Sequence, residues 1–532
     1  MSRTTHEHAT GQRAIVIGAG VAGLATSALL AKEGYRVTVI ERIDTVGGRA
    51  GDLTVEDFPG FRWDTGPSWY LMPEAFDHFF RLLGTSSEEQ LDLVDLTPAY
   101  RVFPEKHAPV DVPSGRAEAV AFFESIEPGA GQALEDYLDS ASDAYDIALD
   151  RFLYTTFSSV KPLVHHDVRT RARRLAGLLT GSLQDFVNKR FRDTRLRQIL
   201  TYPAVFLSSR PETTPALYHL MSHTDLVQGV KYPVGSFTSV VQAFHRLALE
   251  QGVEFRLDTE VTAITTENGK ATGVRVRTPE GAVEDIAADI VVSGADLHHT
   301  ENHLLPAEQR TYPEKYFARR DPGIGTVLVM LGVKGQLPQL AHHNLLFSED
   351  WSTDFAAVFD GPHDERPLGA SQSIYVSMPS ATEDGVAPPE HENIFVLVPV
   401  PAAETLGHGS LFRGEGSATV ESIADAAIDQ IATWADIPDL RERIVARHTV
   451  GPADFAERYN AWRGGSIGPA HTLKQSAFFR GKNISGKVDN LYYAGATTVP
   501  GVGVPMCLIS AENVIKRLRG DTSPGALPEV GA

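Results

Sequence analysis

Residues 14–41 constrain the fold of this 532-residue chain more than any other stretch. The run A-I-V-I-G-A-G-V-A-G-L-A-T-S-A-L-L-A over 14–31 carries no charged side chain. Its length would fit a membrane span or the apolar part of an export signal. Three glycines, Gly18, Gly20 and Gly23, interrupt it, however, and no convincing small-residue cleavage site is present. It resolves instead into a buried strand (14–18), a glycine turn and a helix of small residues (21–33). A second apolar strand, Y-R-V-T-V-I-E over 35–41, completes a βαβ opening. A chain that starts this way is expected to build a parallel α/β sheet.

The turn has the pattern G-x-G-x-x-G, with Val21 and Ala22 inside it. Gly18 permits the sharp turn, Gly20 lets the backbone approach a pyrophosphate, and Gly23 lets the helix pack close to the strand. Glu41 lies 18 residues beyond Gly23, at the end of the second strand, where a carboxylate binds ribose hydroxyls. These features do not separate nicotinamide from flavin dinucleotides. The next segment does: R-I-D-T-V-G-G-R over 42–49 adds Arg42, Gly48 and Arg49, and Arg49 is expected to offer a guanidinium fork to the pyrophosphate. The turn W-D-T-G-P-S (63–68) brings the backbone of Gly66, Pro67 and Ser68 towards a flavin. At the far end, N-L-Y-Y-A-G-A-T-T-V-P-G-V-G-V-P over 490–505 reads as a strand (491–494), a turn containing Gly495, Ala496 and Gly503, and a helix from Val504 and Pro505. The positive end of that helix faces whatever the turn holds. A pyrophosphate loop at one end and a flavin-edge loop at the other point to a flavoenzyme using FAD, closed by its own C-terminus.

A chain this long is expected to form two or three domains. Residues 13–90, 231–300 and 485–519 are expected to assemble a discontinuous Rossmann-like FAD-binding domain. Residues 91–230 and 301–484 would form an inserted α+β domain for substrate and membrane contact. Long helices are expected over 130–149 and 175–191, strands over 326–333 and 394–400, and a helix over 418–435. Residues 1–12 and 520–532 read as a disordered and a loose tail. A formal charge of −20 argues against nucleic-acid binding and against general attraction to anionic lipid. The single cysteine, Cys507, excludes an intramolecular disulfide, fits a reducing cytoplasm and reads as a small buried hydrophobe.

With V-I-G-A-G-V-A-G-L, D-x-x-G-G-R, D-T-G-P-S and L-Y-Y-A-G-A-T-T-V-P-G-V-G-V-P in place, the chain resembles, essentially end to end, the bacterial and fungal carotenoid (phytoene) desaturases of the monoamine-oxidase-like flavoproteins. The segments L-T-Y-P-A-V-F-L-S (200–208) and S-H-T-D-L-V-Q-G-V-K-Y-P-V-G (222–235) are similar to the actinobacterial, phytoene-acting branch. The resemblance implies that Val261 lies over the adenine through its backbone and that Gly294, with Ala295, closes the pocket. It implies a C40 carotene, phytoene, taken from the membrane and desaturated stepwise to lycopene. Hydride would pass to the flavin and a proton would leave the neighbouring carbon. It also implies a peripheral position on the inner face of the cell membrane, with quinone or oxygen reoxidising the flavin, since no second dinucleotide loop is present.

The chain departs from that family in two places. Thr497 and Val499 stand where related desaturases often carry Gly and His, so no imidazole is expected near the flavin. An Asp-x-x-Arg acid–base pair is matched only by Asp167: Thr170 takes the arginine position, between Arg169 and Arg171. Arg169, Arg171, Arg173 and Arg174 read as a solvated helix face or as a contact with lipid headgroups. The pairs His165–His166, His298–His299 and His342–His343 do not present a metal-ligand pattern, and no metal is expected. An amine oxidase, a flavin-dependent carotene isomerase, a three-step or later-pathway carotene desaturase and a non-enzymatic prenyl-lipid carrier are the competing readings.

Overall fold

The structure, a computed structural model, describes residues 11–159, 165–361 and 369–530. Its first layer is a five-stranded parallel sheet. The spatial order is Leu491–Tyr493, Ile290–Ser293, Arg13–Ile17, Arg36–Ile40, Glu254–Arg256. Ala14 lies beside both Ile290 and Val37, and Val291 beside Leu491, so all five strands end at the same edge. Burial on both faces explains the apolar sequences of the first four, while Glu254–Arg256, at the edge, is only partly buried. Ala14 and Val16 face the helices Val21–Lys32, Ser236–Glu250 and Val504–Leu518, while Ile15 and Ile17 face the antiparallel strands Glu260–Glu267 and Lys270–Arg277. Ligands of open parallel sheets bind beyond the carboxyl ends of the strands. Here the glycine loop, Glu41, Gly294 and Gly495 all fall at that edge.

A second, seven-stranded sheet runs in the order Ile444–Val450, Ile324–Lys334, His391–Pro401, Ile374–Ser377, His343–Phe347, Tyr100–Pro104, Val110–Val112. Its pairs are antiparallel except His343–Phe347 with Tyr100–Pro104. Strand alternation again sorts the side chains. Val327, Val329 and Leu331 pack under the helix Ala418–Trp434, and Leu328 and Met330 face the helical insert. The insert contains Ala130–Ala148, as its apolar spacing predicts, but the single helix expected over 175–191 is two, Ala172–Thr180 and Leu183–Asn188. Gly181 ends the first, and Ser182 caps the second by accepting from the Asp185 N–H at 3.1 Å.

Both tails differ from expectation where they are described. Gly11 N–H donates to the Gly34 carbonyl at 3.2 Å, and the Gln12 carbonyl accepts from Arg36 N–H at 2.8 Å. At the other end Leu527 is buried among the helices of the parallel sheet. The fully buried Lys516 ammonium donates to the carbonyls of Tyr154, Ser523 and Gly525 at 2.8, 2.7 and 2.6 Å. His78 bridges Glu512 and Glu529 at 2.9 and 3.0 Å. The Pro/Gly-rich composition of the tail hides these anchors, which are single polar groups met by distant partners.

Candidate active site

Three loops converge on the start of the helix Val21–Lys32. A Cβ on Gly23 would fall 1.9 Å from the Gly18 carbonyl oxygen, so only glycine lets this helix sit against its strand. Gly47 N–H donates to the Ala19 carbonyl at 2.8 Å, and Gly48 brings a would-be Cβ within 3.3 Å of the Gly20 Cα. Gly66 backs onto the Arg49 carbonyl, 2.1 Å from where its Cβ would be. Gly294 and Gly495 close the far side, with would-be Cβ atoms 3.3 Å from the Gly23 nitrogen and 3.4 Å from the Ala22 Cβ. At Gly20 a Cβ would meet nothing nearer than the Gly47 carbonyl at 4.0 Å. The concavity is therefore lined by backbone, and no side chain caps the helix that opens into it. Glu41 braces its rim: Oε2 accepts from Ala19 N–H at 2.7 Å and Oε1 from Ile43 N–H at 3.0 Å. A carboxylate has about four acceptor positions, so two remain for hydroxyl donors.

The C-terminal turn is gripped from below by residues its own motif does not contain. The Arg480 guanidinium, 4% exposed, donates to the carbonyls of Ala496 and Thr498 at 2.6 and 3.1 Å and to those of Pro469 and Gln475. Burial brings its pKa down to about 10, which leaves it charged at neutral pH. Asn483 Nδ2 donates to the carbonyls of Tyr493 and Val499 and to the hydroxyls of Thr498 and Ser510, and Ser510 Oγ accepts from Gly495 N–H at 2.9 Å. His471 Nε2 accepts from Val502 N–H at 3.2 Å, which leaves Nδ1 to donate to the Tyr218 hydroxyl at 2.8 Å. Burial and then the Arg480 charge hold His471 well below the usual histidine range, so this imidazole is neutral. The turn thus has an imidazole against it after all, from a segment far from Val499. Thr497 ties the two closing loops by accepting from Leu297 N–H at 3.1 Å.

Beyond Ser68 the surface becomes aromatic. Trp69 stacks on His343 with centroids 4.5 Å apart and lies against Tyr202, Phe206 and Tyr375. These last three also line an apolar cavity between the seven-stranded sheet and the helices Pro203–Phe206 and Trp351–Phe359, together with Phe347, Trp351 and Phe355. Ile467 also lines the cavity, and its carbonyl accepts from Arg49 at 3.4 Å, so cavity and glycine loops are neighbours. The carboxylate in the wall, Asp354, is turned inward. It accepts from Ser348 Oγ, Ser373 Oγ and Ser373 N–H at 2.5, 2.6 and 3.0 Å and from Gln372 N–H at 2.8 Å. Behind Tyr202, the buried Asp225 accepts from the Tyr202 and Tyr100 hydroxyls, both at 3.0 Å, and burial lifts its pKa to about 7.

The family profile described as flavin containing amine oxidoreductase matches residues 21–517. The chain belongs to that family. It is an FAD-dependent oxidoreductase, and the backbone-lined concavity, wide at Gly20 and facing an uncapped helix start, fits the pyrophosphate of the dinucleotide. It is 40% identical to a carotenoid 3,4-desaturase of Haloarcula japonica, over 96% of this chain and 99% of that protein. It is 33% identical to a zeta-carotene-forming phytoene desaturase of Myxococcus xanthus, over 96% and 94%. Among solved structures, an oxidoreductase from Methanosarcina mazei shares the fold with a TM-score of 0.58 at 17% identity, covering 95% of this chain and all of that one.

In this flavoprotein frame most of the residues singled out by sequence fall on one edge: Gly18, Gly20, Val21, Ala22, Gly23, Glu41, Gly48, Gly294, Gly495 and Ala496 around the helix start. Gly66, Pro67 and Ser68 form the passage to Trp69, and Ser68 Oγ meets the Tyr375 hydroxyl at 2.7 Å. Val261 is joined to the Glu41 rim through Thr259, whose N–H donates to the Glu41 carbonyl at 2.8 Å. Gly503, Val504 and Pro505 start the C-terminal helix, with Gly503 at φ +110°. Arg42 is not brought to the loop. Its Nη2 donates to the carbonyls of Glu457 and Arg458, because the end of the helix Pro452–Tyr459 offers unpaired carbonyls there. Arg49 Nη1 is held by the Ser466 carbonyl at 2.9 Å and faces a cleft with Asp296, Trp462, Arg480 and Thr497.

Asp167 lies on the helix His166–Thr170, but its side chain is outside the described residues. Arg171 and Arg174 both pair with Asp143, at 2.9 and 2.6 Å, while staying partly open to solvent. Burial pushes the Cys507 thiol up to about 11, which makes it a poor nucleophile. His342 is pushed down to about 3 by burial, and His343 falls well below the usual range for the same reason. Among the described residues no group of three or more His, Cys, Asp or Glu side chains is arranged to hold a metal.

Proposed function

We propose that this flavoenzyme is a carotene desaturase that takes phytoene from the membrane and converts it stepwise to lycopene. The observation that carries this reading is the aromatic cavity beside the glycine loops, whose wall carboxylate, Asp354, has its hydrogen-bonding capacity turned inward. A cationic amine would find no carboxylate free to receive it there, whereas a polyene needs none. The names of the relatives at 40% and 33% identity support the same substrate class.

Bound FAD supplies the hydride acceptor. The chain's part is to orient the substrate and exclude water. Phe206, Tyr202 and Tyr375 line the cavity with aromatic rings, whose faces attract positive charge spread over a conjugated chain by about 0.5–2 kcal/mol per contact. Asp225, behind Tyr202, fixes that ring by its hydroxyl. Gly66–Ser68 and the turn held by Arg480 and His471 would hold the cofactor beside the cavity. The proposed proton acceptor is Asp167, on the resemblance alone. Quinone or oxygen would take the electrons, at the inner face of the cell membrane. Among the described residues no helix is long and apolar enough to cross a membrane.

A second reading is favoured by the 40% identity to the 3,4-desaturase: oxidation of a carotene that is already conjugated. Expression in a host that accumulates phytoene and in one that accumulates lycopene separates the two. Lycopene in the first host supports the main reading, and neurosporene there would mean three steps. A pigment more conjugated than lycopene in the second host alone supports the other. Unchanged pigments in both, with a flavin-loaded protein, would remove carotene desaturation altogether.

A further inference from the structure

Leu473, Phe478 and Phe479 are 45%, 37% and 59% exposed within seven residues of chain, on the turns Leu473–Gln475 and Ala477–Phe479. Large apolar side chains grouped this way mark a contact surface. What they contact is indicated by charge. The protein carries a net −20, yet residues 458–488 contain no Asp or Glu and, besides the buried Arg480, five Lys or Arg. Lys474, next to Leu473 in the chain, and Lys482, three residues past Phe479, are exposed, and the helix Glu314–Phe317 with its following turn adds the exposed Lys315 and Arg319. Arg320 joins the two segments by donating to the Lys474 carbonyl. The nearby acids are engaged: Glu314 with His298 at 3.0 Å, and Asp321 with Gly323 N–H at 2.9 Å. Phe479 also lines the cleft that contains Arg49, Thr497 and Arg480, so that cleft reaches the surface at this patch.

We infer that Leu473, Phe478 and Phe479 are the membrane-docking tip of the protein, seated in a bilayer with anionic headgroups around them. The inference rests on the membrane-resident substrate proposed above and names the surface that meets it. Apolar tips enter the acyl boundary while a cationic ring meets the headgroups, the combination that gives reversible interfacial binding. On the inner side, the same segment holds the flavin-side turn through His471 and Arg480. The Arg169–Arg174 cluster is a poorer anchor, because two of its four guanidinium groups are paired with Asp143.

The test is flotation of the flavin-loaded protein with vesicles of phosphatidylcholine containing phosphatidylglycerol. Leu473→Ser combined with Phe478→Ser is expected to lower the partition coefficient at least roughly tenfold, given the transfer free energies of the two side chains. Leu249→Ser, which removes a 51%-exposed leucine on the helix Ser236–Glu250, is expected to leave it unchanged. Wild-type binding by the double variant would overturn the inference and leave peripheral association standing. Failure of the wild-type protein to float would remove both. Should the double variant not fold, Leu473→Trp decides: added fluorescence quenched by brominated lipid supports the docking tip, and unquenched fluorescence overturns it.

Discussion

Two alanine substitutions in the glycine loop separate what the loop does for the fold from what it does for the cofactor. At Gly23 the new Cβ would lie 1.9 Å from the Gly18 carbonyl oxygen, against a practical minimum near 3.0 Å, so helix and strand must part by about an ångström. Overpacking of that kind costs about 1–3 kcal/mol in a packed core. At Gly20 the nearest atom is 4.0 Å away and φ is −69°, a conformation alanine adopts freely. The polypeptide should therefore change in stability by less than about 1 kcal/mol. That Cβ occupies the face of the loop offered to the pyrophosphate, however. Loss of even one charged hydrogen bond there, about 1.5–3 kcal/mol, lowers FAD affinity tenfold or more. Thermal melts of flavin-free protein and FAD titration of the refolded protein read the two effects separately. Gly23→Ala is expected to lower the melting temperature of the flavin-free protein, and Gly20→Ala only to weaken FAD binding. Full flavin affinity in a folded Gly20→Ala protein would refute the assignment of the loop.

Glu41→Ala removes the acceptor of the Ala19 and Ile43 N–H groups and should weaken FAD binding roughly tenfold or more without altering the redox centre; isothermal titration checks it. Arg480→Met leaves four backbone carbonyls without their donor and should destabilise the fold by about 1–3 kcal/mol, with faster flavin loss on gel filtration. His78 is pulled down by burial but raised overall by Glu512 and Glu529. Its contribution to tail anchoring is therefore complete below the unfolded pKa of about 6.5 and lost as pH rises through the higher folded value. Limited proteolysis of the C-terminal tail should accelerate over that interval, and His78→Ala should abolish the pH dependence.

The parallel sheet was legible because its inner strands are continuous apolar runs and its turns need glycine, both of which sequence states directly. The same holds for the convergence of Gly18, Gly20, Gly23, Glu41 and Gly495 at one edge, which follows from parallel strands alone. Arg480 and His471 were not legible. A charged or titratable residue is solvated by default, and only the carbonyls of Ala496 and Thr498 and the N–H of Val502, brought there by tertiary packing, make these two structural. Arg42 shows the opposite failure. Its position suits a pyrophosphate, but the end of the helix Pro452–Tyr459, distant in sequence, competes for it. The cavity wall was not assigned to any residue by sequence. The segments 200–208 and 222–235 were singled out by resemblance, and the structure shows Tyr202 and Phe206 in the cavity wall and Asp225 behind Tyr202. The anchored tail was hidden because Leu527 and Glu529 carry no periodic signal.

A carotene desaturase must remove hydrogen from its carotene and pass it to the flavin. The most direct test is a single anaerobic turnover: flavin-loaded enzyme mixed with phytoene-bearing vesicles, with flavin absorbance followed alongside the carotene spectrum and mass. Bleaching of the flavin is expected, matched one for one by a new conjugated double bond and the loss of two hydrogens from the carotene. A flavin that stays oxidised with every carotene offered would contradict it, as would a carotene whose double-bond geometry changes while its mass does not.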